Sequence, residues 1–339
     1  MKTIAYLITL TVFAFFQIPD LAGAAGIKKA SKALSYTLPT GNYQFTVPGV
    51  NRLYDVHVPP AYKTTSPMPV VLIYHGGSMA PPRMKAVTGM NITANVKKFI
   101  AVYPYGTPKK IGRQTSGSMR FWNPALVFPD YPYFNDPYYD TVDDVGYTRA
   151  LLDDLKTHFN VDTARVYAVG ASNGGLLVNR LACELSDRLA AVASVAGPLY
   201  GPEAYCDLAR KTMPILYMHG TADNFMPYDG GFPYCPEVQQ HPMRSAQETV
   251  DFWIDKNHCV NVPEIVYQNG DVTCVSYKNF DQSAQVEFCT INDGGHTWPG
   301  GAEISFPFKD PGCETGLVSN DVSANDVIWE FFKQYSKQS

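Results

Sequence analysis

The sequence predicts a protein of the α/β class, in which a mostly parallel central sheet carries helices on both faces. Short apolar runs recur along the chain, and segments with apolar residues at helical spacing lie between them. Strands buried on both faces have such continuous runs, and the intervening helices provide the crossovers that parallel strands require. No Gly/Ser-rich linker or internal repeat interrupts the alternation, which favours one domain over two.

The N-terminal part of the chain contributes the first strands. Residues 44–58 alternate in polarity on either side of a Pro-Gly pair, which predicts two strands joined by a turn. Apolar runs at 69–74 and 100–103 predict buried strands, with a helix over 85–98 between them. Apolar residues at helical spacing predict a further helix over 142–159.

The remaining elements continue the alternation. A strand is predicted over 165–169, a tight turn over 170–175 and a helix over 176–185. Further elements are strands at 191–196, 214–218 and 286–291, a hairpin within 263–280, and helices at 246–253 and 324–335.

The composition excludes several classes of protein. The 339 residues are 45% hydrophobic and carry a formal net charge of −4, which is too apolar and too weakly charged for a disordered chain. Because the chain has no basic excess, we expect no nucleic-acid partner.

The N-terminus has the pattern of a secretory signal peptide. Lys2 precedes an uncharged apolar run over 3–16, and Ala-Gly-Ala at 22–24 fits a cleavage site. We therefore expect a signal peptide over 1–24 and a single catalytic domain over 25–339, secreted to the extracellular space or periplasm. An uncleaved anchor is the alternative, but the run is short for a bilayer, so we expect no membrane contact in the mature form.

Cysteine usage fits an exported protein. An oxidising compartment favours disulfides over metal binding, and the sequence leaves their connectivity open. No C-x-x-C, H-E-x-x-H or paired-histidine motif is present, so we expect no metal and no cofactor. The odd count leaves at least one cysteine without a partner inside the chain. The seven are Cys183, Cys206, Cys235, Cys259, Cys274, Cys289 and Cys313.

The turn at 170–174 is the strongest candidate for a catalytic element. Its sequence G-A-S-N-G matches G-x-S-x-G, and it lies between a predicted strand and a predicted helix, as a nucleophile elbow does. Ser172 would then stand at a helix N-terminus, where the helix dipole favours developing negative charge. The alternative is an ordinary turn in which Ser172 caps the helix.

A serine nucleophile needs a base and an acid that orients the base. In a sheet of this type the order along the chain is serine, acid, histidine, each in a loop at the carboxyl end of a strand. Asp223 and His296 satisfy both conditions. Asp229 lies farther from its strand, and Asp293 is too close to His296 in sequence to face its ring easily.

The loops around the serine also suggest an oxyanion hole. One N–H donor is expected from Asn173, and the other from Gly77 in the loop after the strand at 69–74. His75 and His219 also end strands. We expect them to hydrogen-bond loop backbone rather than to act as the base.

Three segments together resemble a known group of enzymes: G-A-S-N-G-G at 170–175, H-G-T-A-D at 219–223 and G-H-T-W-P-G-G at 295–301. They are similar to segments of the secreted esterases of the polyhydroxybutyrate depolymerase and feruloyl esterase group. The resemblance covers about residues 45–335. It implies an α/β-hydrolase fold and ester hydrolysis, with Ser172 as nucleophile, Asp223 as acid and His296 as base.

The same resemblance implies further site features. It suggests a disulfide between Cys183 and Cys206, and it suggests that Trp298 lines the site beside the base, although a plain core tryptophan is equally expected. The chain departs from the group in the long aromatic segment 121–139, which contains Trp122. This segment could cover the site and bind substrate, or it could pack on itself at the surface.

The sequence therefore predicts a secreted serine esterase that forms an acyl-enzyme intermediate. Its expected partner is an ester substrate, either a polyester oligomer or a plant cell-wall ester. A serine peptidase on the same fold and a catalytically inactive extracellular binding protein are the alternatives.

Overall fold

The computed structural model describes residues 36–111, 114–125, 136–201, 206, 212–238, 241–281, 285–304, 306 and 309–337. From residue 36 onward the described residues belong to one compact unit. The predicted signal peptide lies outside the described residues, as does the middle of the aromatic segment, residues 126–135.

A ten-stranded sheet forms the centre of this unit, and its six middle strands run parallel. They are ordered β4 (Ile100–Pro104), β3 (Met68–Tyr74), β7 (Val161–Ala171), β8 (Ala191–Val195), β9 (Ile215–Gly220) and β12 (Gln285–Ile291). The predicted α/β class is confirmed.

Antiparallel strands extend the sheet at both edges. On one side are β2 (Leu53–Val58) and β1 (Gly41–Thr46), and on the other are β11 (Val272–Lys278) and β10 (Glu264–Asn269). A separate hairpin of β5 (Thr107–Ile111) and β6 (Gln114–Phe121) was not expected from the sequence. Its residues are mostly polar, so it lacks the apolar pattern by which the other strands were recognised.

Helices cover both faces of the sheet because alternate strand residues point to opposite sides. In β3, Leu72 belongs to one apolar cluster and Ile73 to the other. One face packs against α4 (Asp144–His158), α5 (Asn173–Glu184) and α6 (Ala246–Lys256). The other packs against α1 (Pro81–Thr88), α2 (Met90–Lys97) and α7 (Ala324–Phe332), and a short helix α3 (Pro137–Asp140) precedes α4.

One helix predicted from the sequence is divided into two helices in the structure. The helix expected over 85–98 is divided between α1 and α2 at Gly89, whose φ of +62° is a left-handed value. Glycine adopts this conformation without steric cost, and its N–H caps α1 by donating to Lys85 O.

The structure pairs six of the seven cysteines: Cys183 with Cys206, Cys235 with Cys313, and Cys274 with Cys289. The first pair is the one that the family resemblance implied. Cys259 is the free one. None of the helices that the structure describes combines the length and hydropathy needed to cross a bilayer.

Glu287 in β12 makes the folded state sensitive to pH. It is 8% exposed and accepts a long hydrogen bond from Gln285 (3.4 Å). Burial raises the pKa of its carboxyl from 4.5 to about 7, although the charge of Lys278 opposes this. Because the folded pKa lies above the unfolded one, this group does not destabilise the protein below about pH 4.5, and its destabilising effect grows as the pH rises to about 7.

We therefore expect Glu287→Gln to raise the free energy of unfolding at about pH 8 by up to about 3 kcal/mol, and to have little effect near pH 4. Urea unfolding at both pH values measures this difference. Glu303→Gln is the control, since that side chain is exposed. An unchanged pH dependence in Glu287→Gln would contradict the assignment.

Candidate active site

Ser172 lies at a sharp turn between β7 and α5. Its φ of +54° is a left-handed value that a residue with a side chain adopts at a cost of about 1–3 kcal/mol. The turn is held by a hydrogen bond from Ser172 N–H to Val195 O (2.8 Å). The Ser172 side chain makes no capping bond to α5, so the alternative of a helix-capping serine does not describe this turn.

Glycines flank the serine because the backbone is packed too closely for side chains. A Cβ at Gly174 would lie 2.5 Å from the carbonyl oxygens of both Tyr74 and His75. A Cβ at Gly170 would overlap the carbonyl group of Gly174. The helix can therefore begin directly against the end of β3 only with glycine at these positions.

His296 and Asp223 meet across 73 residues of sequence. His296 Nδ1 lies 2.7 Å from Asp223 Oδ2. A carboxylate only accepts, so Nδ1 donates and the neutral ring presents Nε2 as an acceptor. His296 and Ser172 line the same cavity. The rival carboxylates of Asp229 and Asp293 are exposed, and within the described part of the chain neither bonds to His296.

Asp223 is buried and fully hydrogen-bonded. Its Oδ1 accepts from the N–H groups of Phe225 and Met226, both at 2.8 Å, and its Oδ2 is 3.3 Å from His219 Nε2. Burial alone would raise the pKa of Asp223, but the charge of His296 and the hydrogen bonds from His219 and His296 lower this pKa below its ordinary value. Asp223 is therefore ionised at neutral pH.

His219 serves the loop that carries Asp223. Its Nε2 donates to Met226 O (2.7 Å), and its Nδ1 is hydrogen-bonded to the hydroxyl of Tyr217. Both ring nitrogens of His219 are therefore hydrogen-bonded to other groups of the protein. This is the backbone-bonding role that the sequence predicted for His219.

His75 orients the loop that contains Gly77. Its Nε2 accepts from Gly106 N–H (3.0 Å), so Nδ1 carries the proton and donates to Gly76 O (2.8 Å). The C=O and N–H of a trans peptide point in opposite directions, so this bond turns Gly77 N–H away from the His75 ring. Burial lowers the pKa of His75 from 6.5 to about 3, which keeps the ring neutral.

Trp122 is hydrogen-bonded to residues of the site but does not line the cavity beside Ser172. Asn173 Nδ2 donates to the backbone oxygen of Trp122 (3.0 Å), and the backbone N–H of Trp122 donates to Asn173 Oδ1 (2.7 Å). The indole is fully buried against Tyr74 and donates to His75 O (2.8 Å). Trp122 is not among the residues that line the cavity beside Ser172, and its predicted contact with substrate stays a prediction. Its indole holds the backbone of His75, and its own backbone pairs with the Asn173 amide.

A cavity of about 300 Å³ opens beside Ser172 and His296, with Gly77 and Asn173 in its wall. Charged side chains stand at its rim: Lys109, Asp136 and Glu237. Its apolar wall consists of Phe121, Tyr139, Phe225, Met226, Val238 and Phe306.

The aromatic wall has two sources. Phe121 and Tyr139 are the two ends of the predicted aromatic segment, and their rings meet edge to face at 5.9 Å. Phe225 and Phe306 were missed from the sequence. Phe225 could have been found, because it follows Asp223 by two residues and must lie near the site. Phe306 is brought there by tertiary folding and has no sequence signal.

Trp298 borders the site in a different place. It lines a small second cavity together with Ser172 and His296. Its indole N–H donates to Asn325 Oδ1 (3.0 Å), so the apolar part of the ring faces this cavity.

No protein-family model matches the chain. Several curated proteins are similar to it in sequence. NocK of Nocardia uniformis subsp. tsuyamanensis, named an esterase, is 29% identical over 85% of this chain and 81% of its own length. Feruloyl esterase B of Piromyces equi is 33% identical over 45% of this chain, which spans only 29% of that enzyme. Poly(3-hydroxyalkanoate) depolymerase C of Paucimonas lemoignei is 23% identical over 92% of this chain and 74% of its own.

Solved structures share the fold. An acetyl xylan esterase from Aspergillus awamori has a TM-score of 0.54 and 14% identity, covering 76% of this chain and 94% of its own. A ferulic acid esterase from Anaeromyces mucronatus has a TM-score of 0.53 and 14% identity, covering 87% and 89%. The chain has the α/β-hydrolase fold. It is similar to feruloyl esterases and a polyhydroxyalkanoate depolymerase, and these relatives support its being a carboxylic ester hydrolase.

The packing at Gly174 can be tested directly. We expect Gly174→Ala to lower the free energy of unfolding by at least about 2 kcal/mol and to abolish activity, because the new methyl group collides with two carbonyl oxygens. Gly117→Ala is the matched control, since nothing lies within 4 Å of a Cβ there. Urea unfolding and ester turnover measure both effects. Equal stability of the two variants would contradict the packing argument.

Proposed function

We propose that the chain is a secreted serine esterase in which Ser172 is the nucleophile, His296 the general base and Asp223 the acid that orients His296. The observation that carries the proposal is the 2.7 Å hydrogen bond between His296 Nδ1 and Asp223 Oδ2, beside a cavity that Ser172 also lines. The pattern at residues 1–24 and the three disulfides support export to an oxidising compartment.

In the first half of the reaction, Ser172 Oγ attacks the ester carbonyl carbon and its proton passes to His296 Nε2. Asp223 stabilises the imidazolium that forms, because its own lowered pKa keeps it ionised. The N–H groups of Asn173 and Gly77 donate hydrogen bonds to the carbonyl oxygen as it becomes negatively charged. The bond to the alcohol oxygen then breaks, and His296 returns the proton to the departing alcohol.

In the second half, water attacks the acyl-enzyme. His296 takes a proton from the water, the same two N–H groups hold the oxyanion, and Ser172 Oγ leaves with the proton that His296 returns. The products are a carboxylic acid, an alcohol and the free enzyme, so the cycle needs no other reactant.

The substrate we favour is a plant cell-wall ester. The aromatic walls of the main cavity suit the apolar part of such a molecule, and the charged rim suits its hydroxyl groups. A polyester oligomer is the second candidate, and similarity to a poly(3-hydroxyalkanoate) depolymerase favours it. Parallel assays on acetylated xylan, methyl ferulate and short 3-hydroxybutyrate oligomers separate these substrates.

The role of Ser172 predicts that Ser172→Ala folds normally but loses at least about a thousandfold in kcat on 4-nitrophenyl acetate. It should also escape labelling by a fluorophosphonate probe. Ser118→Ala, an exposed serine on β6, is the control and should keep both properties. Turnover by Ser172→Ala close to that of the wild type would refute the nucleophile assignment, and a wild-type protein that is folded but unlabelled would favour a binding function.

The role of Asp223 predicts that Asp223→Asn lowers kcat on the order of 10⁴-fold. The asparagine amide no longer holds His296 in the tautomer that carries its proton on Nδ1. Asp229→Asn, an exposed neighbour in the same loop, should retain wild-type kcat. Steady-state kinetics on 4-nitrophenyl acetate compares the two. Comparable losses in both variants would show that Asp223 has no special role.

A further inference from the structure

Ser172 stands between two cavities of very different size. The main cavity has a volume of about 300 Å³, and its rim carries exposed charged side chains such as Lys109 and Glu237. The second cavity, which we call the recess, has a volume of about 20 Å³. Ser172, His296 and Phe306 line both. An ester bound with its carbonyl at Ser172 has its acyl group on one side and its alcohol on the other. These two groups therefore meet cavities of different volume.

The recess is apolar, and several of its lining side chains are buried. Met84 is 1% exposed, Trp298 2% and Met79 3%. Apart from the reactive Ser172 and His296, the polar side chains of its lining are engaged elsewhere: Trp298 Nε1 bonds to Asn325, and Thr297 Oγ1 donates to Leu317 O (3.2 Å). A water needs two or more polar partners, so this space suits an apolar group. Its side-chain walls are Met79, Met84, Val87, Trp298, Ile304 and Phe306.

The order of the reaction decides which part of the substrate fits the recess. The alcohol must leave before the acyl-enzyme is hydrolysed, and a water must then enter from solvent. Both movements suit the larger main cavity, which is bordered by exposed charged side chains. The acyl group stays bonded to Ser172 Oγ until the last step, so a small apolar compartment beside that atom can hold it.

We propose that the recess binds the acyl group of the substrate and that Met84 limits this group to about two carbons. The inference rests on the proposed function, and it makes acetyl esters of larger alcohols the preferred substrate class. A volume of about 20 Å³ accommodates one group of the size of water or methyl. Met84 lines the recess from α1, so an acyl chain too long for this volume would collide with its side chain.

The test compares kcat/KM for 4-nitrophenyl acetate and 4-nitrophenyl butyrate. Wild type should prefer acetate by at least roughly tenfold. Met84→Ala opens the recess, so this preference should fall by roughly tenfold or more, since each methylene accommodated contributes about fourfold. The ratio is measured on one preparation, so a partly unfolded sample does not change it.

Met90→Ala is the matched control. Met90 is also 1% exposed and belongs to the same apolar cluster, but it does not line the recess. It should lose stability like Met84→Ala while keeping the wild-type preference for acetate. If Met84→Ala does not fold, Met84→Val should shift the ratio in the same direction by a smaller factor.

Three results would overturn the proposal: a wild type that hydrolyses butyrate as fast as acetate, an unchanged ratio in the Met84 variants, or an equal shift in Met90→Ala. A parallel series of methyl, ethyl and butyl acetate, in which only the alcohol changes, tests the acyl assignment. If Met84→Ala relaxes that alcohol series instead, the recess binds the alcohol and the proposal is wrong. A folded wild type that cleaves none of these esters would instead defeat the proposed function itself.

Discussion

The close approach of α5 to the end of β3 is the constraint on which the site depends. Only glycine at position 174 leaves room for the carbonyl oxygens of Tyr74 and His75, and this approach brings the loop after β3 against the nucleophile turn. A Cβ at Gly76 would lie 3.4 Å from Ser172 Cβ. The serine and the two proposed oxyanion donors are thus carried by rigid backbone, which needs little reorganisation when charge develops in the transition state.

A buried polar network fixes the backbone on the other side of the site. Arg52 Nη1 is 2.5 Å from Asp144 Oδ1, and Asp144 Oδ2 accepts from Asn123 N–H (2.6 Å). Arg180 Nη1 donates to Asn123 O (3.0 Å). Buried charges are tolerated only when they are paired in this way. Because Asn123 follows Trp122, the network also holds the backbone to which the Asn173 amide is bonded.

The disulfide between Cys235 and Cys313 has a corresponding role at the cavity wall. It joins two loops that are 78 residues apart, one carrying Val238 and the other following Phe306. Closing so long a loop removes many conformations from the unfolded chain, which stabilises the folded state by about 4.5 kcal/mol in the chain-entropy model. The walls of the main cavity are therefore tied together by a bond that persists in an oxidising compartment.

The sequence by itself determined the α/β class, the nucleophile turn and the candidate acid and base, because these depend on local patterns: continuous apolar runs, G-x-S-x-G, and residues that follow strands. It did not determine the break at Gly89, the polar hairpin β5–β6, the buried position of Trp122 or the contribution of Phe306. Those were decided by tertiary structure, because they depend on which surfaces meet across long stretches of chain. The pairing of His296 with Asp223, and the two unequal cavities at Ser172, are likewise products of packing that no local pattern specifies.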